Sequence, residues 1–177
     1  AESEEKYRLV VENADEIIGV TIDGILQFVN RKALALFGYT ENELVGTPAI
    51  DHVHPDDRLP LLRHWKKIGF GKGKNRPFVM RFIGKDGNVI WTENSIVPIQ
   101  WQGKIAAINI ATDITERKRI EDALRESEEK YRLVVENADE LISVSVDGVL
   151  QLVNRKMTLV SSYTEGELIG KPAVEFI

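Results

Sequence analysis

The side chains best suited to chemistry are few in this 177-residue chain, which has three histidines and no cysteine. Without cysteine there are no disulfides, thiolate metal sites, or cysteine-based catalysis or photochemistry. His52-Val53-His54 followed by Asp56 and Asp57 has the residue types of a metal cluster. The stronger reading is a helix start, because His54-Pro55-Asp56-Asp57 sets two carboxylates beside the positive end of a helix dipole. No metal site is therefore expected. His64 stands next to Trp65 on an amphipathic segment and reads as a packing or surface residue. No phosphate-binding glycine loop, nucleophile–base arrangement, or kinase or cyclase segment is legible, so the chain is not expected to be an enzyme.

The elements that would carry these residues belong to an ordinary globular chain, 43% hydrophobic and 29% charged, long enough for one or two domains. A net charge of −5, with no uncompensated Lys/Arg stripe, argues against nucleic acid as a partner. The longest apolar runs, Ile17–Ile22 and Ile105–Ala111, are too short to span a bilayer, and no signal peptide opens the sequence. No membrane contact is expected within these residues, and the absence of cysteine fits a cytoplasmic location.

Self-similarity decides the organisation. Glu2–Glu16 recurs letter for letter at Glu126–Glu140, and the register then holds without a gap. Asp23-Gly24 returns as Asp147-Gly148, Val29-Asn30-Arg31-Lys32 as Val153-Asn154-Arg155-Lys156, and Tyr39-Thr40-Glu41 as Tyr163-Thr164-Glu165. About 33 of 52 aligned positions are identical, beyond coincidence for a repeat of this length. The second copy reaches Ile177, the counterpart of Val53, so it is expected to be the first half of a domain.

Within one copy, residues 2–14 read as a helix with Tyr7, Val10, Val11 and Ala14 on one face. Ile18, Val20 and Ile22 alternate before an Asp23-Gly24 turn, and Leu26, Phe28 and Val29 complete a hairpin. Asn30 is placed to cap a helix carrying Ala33, Leu34 and Phe37, which Gly38 ends. Thr40 and Glu43 have capping-box spacing. A helix from His54-Pro55 carries Leu59, Leu62, Trp65 and Ile68, and Gly69–Lys74 reads as a loop. Phe78–Ile83, Asn88–Ile99 and Lys104–Thr112 read as strands joined by turns at Gly84–Gly87 and Gln102-Gly103. Two strands, helices, then three strands make an α+β unit with an antiparallel sheet.

Taken in order, these residues resemble the PAS domain family of sensor histidine kinases and related signal-transduction proteins. The resemblance rests on the Asp23-Gly24 turn, Asn30, Phe37-Gly38-Tyr39-Thr40, Glu43-Leu44-Val45-Gly46 and His54-Pro55-Asp56-Asp57. Lys85-Asp86-Gly87, Trp91 and Asp113-Ile114-Thr115-Glu116-Arg117-Lys118 extend it. It implies a five-stranded antiparallel sheet in the order 2-1-5-4-3, with helices on one face enclosing a cavity. The boundaries are then an N-terminal amphipathic helix over 1–15, a complete sensor domain over 16–115, a helical linker over 113–137, and a partial second copy over 138–177. The second copy departs from the pattern at Ser161-Ser162, where the first has Phe37-Gly38.

By the same resemblance, Phe78, Met80, Phe82, Asn94, Ile96 and Asn109 face inward as a ligand-binding set, beside Ile90, Thr92, Ala107 and Ala111. Two asparagines among apolar residues need partners, which a polar small molecule or water would supply. The alternative is a filled core in which they bond each other or water. Flavin-binding members need a reactive cysteine, and use amides at positions held here by Phe82, Thr92 and Ala111, so flavin is not expected. Haem-binding members need an axial histidine; His64 is the candidate but precedes the usual position, where Lys72 stands, so haem is not expected. No cofactor is named.

Asp113 to about Glu136 lacks Gly and Pro and reads as one helix. Arg117, Ile120, Leu124, Ser127, Tyr131, Val134 and Ala138 recur at three- and four-residue spacing, a seam for a parallel helix pair that Arg117 and Ser127 weaken. The alternative is a solitary amphipathic helix packed on its own domain. By resemblance, Asp113, Ile114 and Thr115 form the signal junction, with Asp113 pairing a basic group and Thr115 capping the helix. The expected function is a non-catalytic sensory input and dimerisation module acting on an output domain elsewhere. The alternatives are a ligand-free assembly spacer and, behind it, a haem-based gas or redox sensor. A homodimer through the N-terminal and linker helices is expected, with the half domain contributing through unpaired strand edges.

Overall fold

The computed structural model describes residue 6 and residues 9–69, 76–101 and 103–176. Tyr7, Lys72, Gln102 and nearly all of the expected Gly69–Lys74 loop lie outside them. The chain forms two compact units, residues 1–118 and 119–177.

The first unit is built on strands β1 (Ile17–Ile22), β2 (Ile25–Val29), β3 (Phe78–Ile83), β4 (Val89–Trp101) and β5 (Lys104–Asp113). They form one antiparallel sheet in the order β2-β1-β5-β4-β3. Between β2 and β3 come α1 (Arg31–Phe37), α2 (Glu41–Leu44), a 3-10 turn (Ala49–His52) and α3 (Pro55–Gly69). The β1–β2 turn puts Asp23 at φ 50° and Gly24 at φ 79°, the primed geometry that matches strand twist.

A bulge between Val20 and Thr21 interrupts the β1–β2 pairing. The pairing with β5 sets which side of β1 faces the helices. Gly19 opposes Asn109 and Thr21 opposes Ala107, so Ile17, Gly19 and Thr21 share the face that β5 turns toward the helices. On α3 Leu61 is buried, whereas Leu59 and Leu62 are exposed, and the side chain of Ile68 lies outside the described ones. The helix presents Leu61 and Trp65, spaced four residues apart, rather than the Leu59–Leu62 stripe.

Two apolar clusters form the core. One gathers Ile17, Leu26, Val29, Ala33, Leu44 and Ala111. The other gathers Val53, Leu61, Met80 and Ile96, with Trp65, Phe78 and Phe82 against it.

Helix α4 (Thr115–Glu136) follows β5 directly and has no buried residue; at about 1.5 Å per residue it is roughly 33 Å long. The second unit then forms the hairpin β6 (Ser143–Val146) and β7 (Val149–Val153), helices α5 (Arg155–Ser161) and α6 (Glu165–Leu168), and a 3-10 turn (Ala173–Phe176). Its core is Leu150, Val153 and Leu168, packed by Met157, Ile169, Ala173 and Phe176.

Candidate functional site

A cavity of about 70 Å³ lies where the two core clusters of the first unit meet. Of the residues singled out from the sequence, Met80, Phe82, Ile96 and Asn109 line it, and Phe78 and Asn94 do not. Phe78 turns instead onto the His64 ring, 4.2 Å between centroids. Asn94 is wholly buried behind Asn109 and bonded to it. Residues outside the expected set complete the wall: Ile17, Gly19 and Thr21 from β1, Phe37 from α1, His52, and Leu61 and Trp65 from α3. Strand alternation could not find the helical wall, although the Leu61/Trp65 spacing carried a signal for it.

The polar groups at this cavity are ordered in a chain. Thr92 Oγ1 donates to the Met80 carbonyl at 3.1 Å. Asn94 Nδ2 donates to Thr92 O at 3.0 Å and to Thr92 Oγ1 at 2.8 Å. Asn109 Nδ2 approaches Asn94 Oδ1 at 3.4 Å. The buried Oδ1 of Asn109 has no hydrogen-bond partner among the described residues. The two asparagines thus bond each other, as the filled-core alternative expects, and one acceptor is left over.

The histidines do not converge. His52 Nε2 lies 3.0 Å from Thr47 Oγ1, and that hydroxyl donates to Leu44 O at 2.7 Å. His52 therefore donates from Nε2, and burial lowers its pKa below the ordinary value. His54 instead faces Asp56, with Nδ1 3.5 Å from the carboxylate. Among the described residues no three His, Cys, Asp or Glu side chains group as metal ligands.

Asp57, expected only to favour the helix dipole, clamps α3 to β3. Its Oδ2 accepts from the backbone N of Arg81 at 2.8 Å and from Nε at 3.0 Å, and its Oδ1 accepts from Nη2 at 2.7 Å. Hydrogen bonds from the Arg81 side chain hold the Asp57 carboxyl below its usual pKa. The Arg81 guanidinium lies 5.3 Å over the Trp91 ring.

At the end of β5 Asp113 and Thr115 bond each other. Asp113 Oδ1 accepts from Thr115 N at 2.9 Å and Thr115 Oγ1 at 2.6 Å, so Asp113 holds the helix start, and among the described residues its hydrogen-bond partner is Thr115 rather than a basic group. Thr115 Oγ1 in turn accepts from the Trp91 backbone N at 3.0 Å, which ties the first residue of α4 to β4. Ile114 is buried, and its N donates to Trp91 O at 2.9 Å.

Asn30 does more than cap α1. Its Oδ1 accepts from Ala33 N at 3.1 Å and Ile18 N at 3.0 Å. Its Nδ2 donates to Val11 O at 3.1 Å and Glu16 O at 2.9 Å. Glu12 adds an acceptor for Arg31 N at 2.9 Å. In the second unit Asn154 bonds Met157 N, Ile142 N, Val135 O and Glu140 O in the same way, and Glu136 accepts from Arg155 N.

A 2-1-5-4-3 antiparallel sheet with helices enclosing a small cavity on one face defines a PAS fold. Residues 27–110 match the family model described as PAS fold, so this part of the chain belongs to the PAS family. Sporulation kinase A of Bacillus subtilis is 29% identical over 127 residues, 71% of this chain and 21% of its own length. The oxygen sensor protein DosP of Escherichia coli is 26% identical over 151 residues, 82% of this chain and 18% of its own length. The chain thus spans about a fifth of these relatives. The PAS domain of an HTR-like protein from Haloarcula marismortui superimposes with a TM-score of 0.57 at 24% identity, covering 64% of this chain and 93% of that one.

Haem does not fit this cavity. A volume of about 70 Å³ is far below the ~300–1,000 Å³ of pockets for larger ligands, and His64 packs on Phe78 instead of lining it.

Proposed function

We propose that this chain is a non-catalytic sensory input module, whose PAS domain passes a ligand- or partner-induced change through α4 to an output domain outside these residues. The carrying observation is the position of β4. Its buried side chains Thr92, Asn94 and Ile96 stand at or behind the cavity, and the adjoining Trp91 backbone is bonded by Thr115 at the head of α4. A displaced Asn94 would pull on Trp91, and Asp113, Ile114 and Thr115 would carry that shift into the helix. The relatives' names, a sporulation kinase and an oxygen sensor protein, support a sensory role in a kinase-type system.

Ile120, Leu124, Tyr131 and Val134 are all exposed along α4, which supports a parallel pair with a second copy over a helix packed on its own domain. The edge of β6, which pairs only with β7 among the described strands, would add to the dimer. An unchanged oligomer by light scattering after removal of residues 127–177 would sink that contribution.

The relay is tested by Ala107→Leu, which fills the cavity from β5. Hydrogen exchange at the amides of Ile114 to Lys118 should change; identical exchange in wild type and variant would refute the relay. The cavity's small volume favours one other reading, a ligand-free assembly domain, in which that exchange stays constant while the dimer persists.

A further inference from the structure

Resting on the sensory reading above, the geometry points to a ligand class: we infer that the cavity selects a small, uncharged hydrogen-bond donor, which it holds on Asn109 Oδ1. The argument runs from fixed groups to the free one. A backbone carbonyl only accepts, so Met80 O fixes the Thr92 hydroxyl as its donor. Thr92 O and Oγ1 then both require donors, and Asn94 meets both with its Nδ2. That orientation leaves Asn94 Oδ1 facing Asn109, which must answer with Nδ2. The amide of Asn109 is thereby oriented with its oxygen left over, buried and without a partner among the described residues. Flipping any one amide would set oxygen against oxygen. A backbone acceptor on β3 thus imposes the polarity of the last side chain in the chain.

Size and charge narrow the class. At about 10–15 Å³ for each water-sized occupant, 70 Å³ holds on the order of five heavy atoms. Among the described residues the lining includes no Lys, Arg, Asp or Glu, and His52, the one titratable residue among them, is disfavoured as a cation by burial. A charged guest would lose its hydration without compensation. An uncharged molecule with one N–H or O–H would fill the apolar wall and satisfy Asn109. A guest of equal size bearing only an acceptor would leave Oδ1 unpaired.

Pyrrole and furan separate these cases, being rings of one size that differ by an N–H donor against an oxygen acceptor. Titration of the 177-residue chain followed by ¹H–¹⁵N spectra should shift the amides of Ile96 and Asn109, with pyrrole binding about tenfold or more tighter than furan. In Asn109→Leu, which keeps a similar volume without an acceptor, the ratio should fall to near unity. The wild-type ratio decides the matter even if that variant does not fold. Equal affinities, or tighter furan, would overturn the donor inference and leave the sensory reading intact. Failure of both rings to bind would overturn it together with ligand sensing, while the Ala107→Leu exchange experiment judges the relay separately.

Discussion

Asn30 and Asn154 are both wholly buried and make the same four bonds, yet the strands they hold differ in environment. Val20 on β1 is 2% exposed, and its counterpart Val144 on β6 is 48% exposed. β1 is covered along its second edge by β5, whereas among the described strands β6 pairs only with β7. The hairpin, its cap and its clamp are therefore local devices that close without the later strands. Burial of the first strand is not local, because it needs a partner whose residues lie far along the chain. The two units separate what the repeated segment specifies for itself from what β3, β4 and β5 add in the first unit.

The largest effect expected from breaking this comparison is at the asparagines. Asn30→Ala strands two N–H groups and two carbonyls, so it should cost the first unit about 3 kcal/mol. That is roughly 12–20 °C in the thermal midpoint of a domain this size. Asn154→Ala should instead abolish hydrogen-exchange protection at Ile142 and Met157 and leave the first unit's midpoint in place. A large fall in that midpoint would show that the clamps do not act locally.

A smaller effect is expected at Asp57, on an element the second unit does not share. Asp57→Asn should cost about 2 kcal/mol at neutral pH by weakening the hold on Arg81. The folded carboxyl titrates below its ordinary value. Its contribution is therefore present above about pH 4 and disappears as pH falls through the depressed folded value. Urea midpoints of wild type and variant should differ at pH 7 and converge in acid; a constant gap would count against the pair.

How much of this was legible depends on the distance between partners. Asn30 announced itself as a cap three residues from Ala33, and the asparagines on β4 and β5 stood out by alternation among apolar residues. The bonds from Asn30 to Val11 and Glu16 did not, since they depend on how the preceding segment folds back. Asp57 and Arg81 lie 24 residues apart, a separation no local pattern reveals. The inward face of β1 was hidden because the small residues Gly19 and Thr21, rather than the larger apolar ones beside them, stand opposite Asn109 and Ala107, residues about 90 positions along the chain.

About 1 kcal/mol is expected where the copies diverge. Gly38 ends α1 at φ 74°, and Ser162 ends α5 at φ 64°. A side chain in that left-handed region costs roughly 1–2 kcal/mol, so Ser162→Gly should stabilise the second unit and Gly38→Ser destabilise the first. Chemical denaturation of the two swaps should give opposite signs; matching signs would mean that neighbouring contacts outweigh backbone strain.

The smallest effect concerns Glu43 and Glu167, which both accept from a threonine at the start of a short helix. Glu43 also receives Lys85 Nζ at 2.6 Å, and that bond is the main cause of its pKa falling to about 2. Glu167 is lowered chiefly by the Thr164 backbone. Carboxyl-detected titration should place Glu43 below Glu167, and Lys85→Ala should bring Glu43 up toward it.

The asparagine clamp also sets an order in time. Its partners lie 19, 14 and 12 residues before Asn30 and 3 after it, and the same spacings recur at Asn154. Every bond is thus available once Ala33, or Met157, has emerged during synthesis, before any residue of the later strands exists. At about 5–20 residues per second, the ribosome gives a nascent first unit several seconds in which its helix end and hairpin can be locked before β5 arrives. The growing chain would spend that interval as the second unit is seen here, with its clamp closed and its first strand waiting for a neighbour.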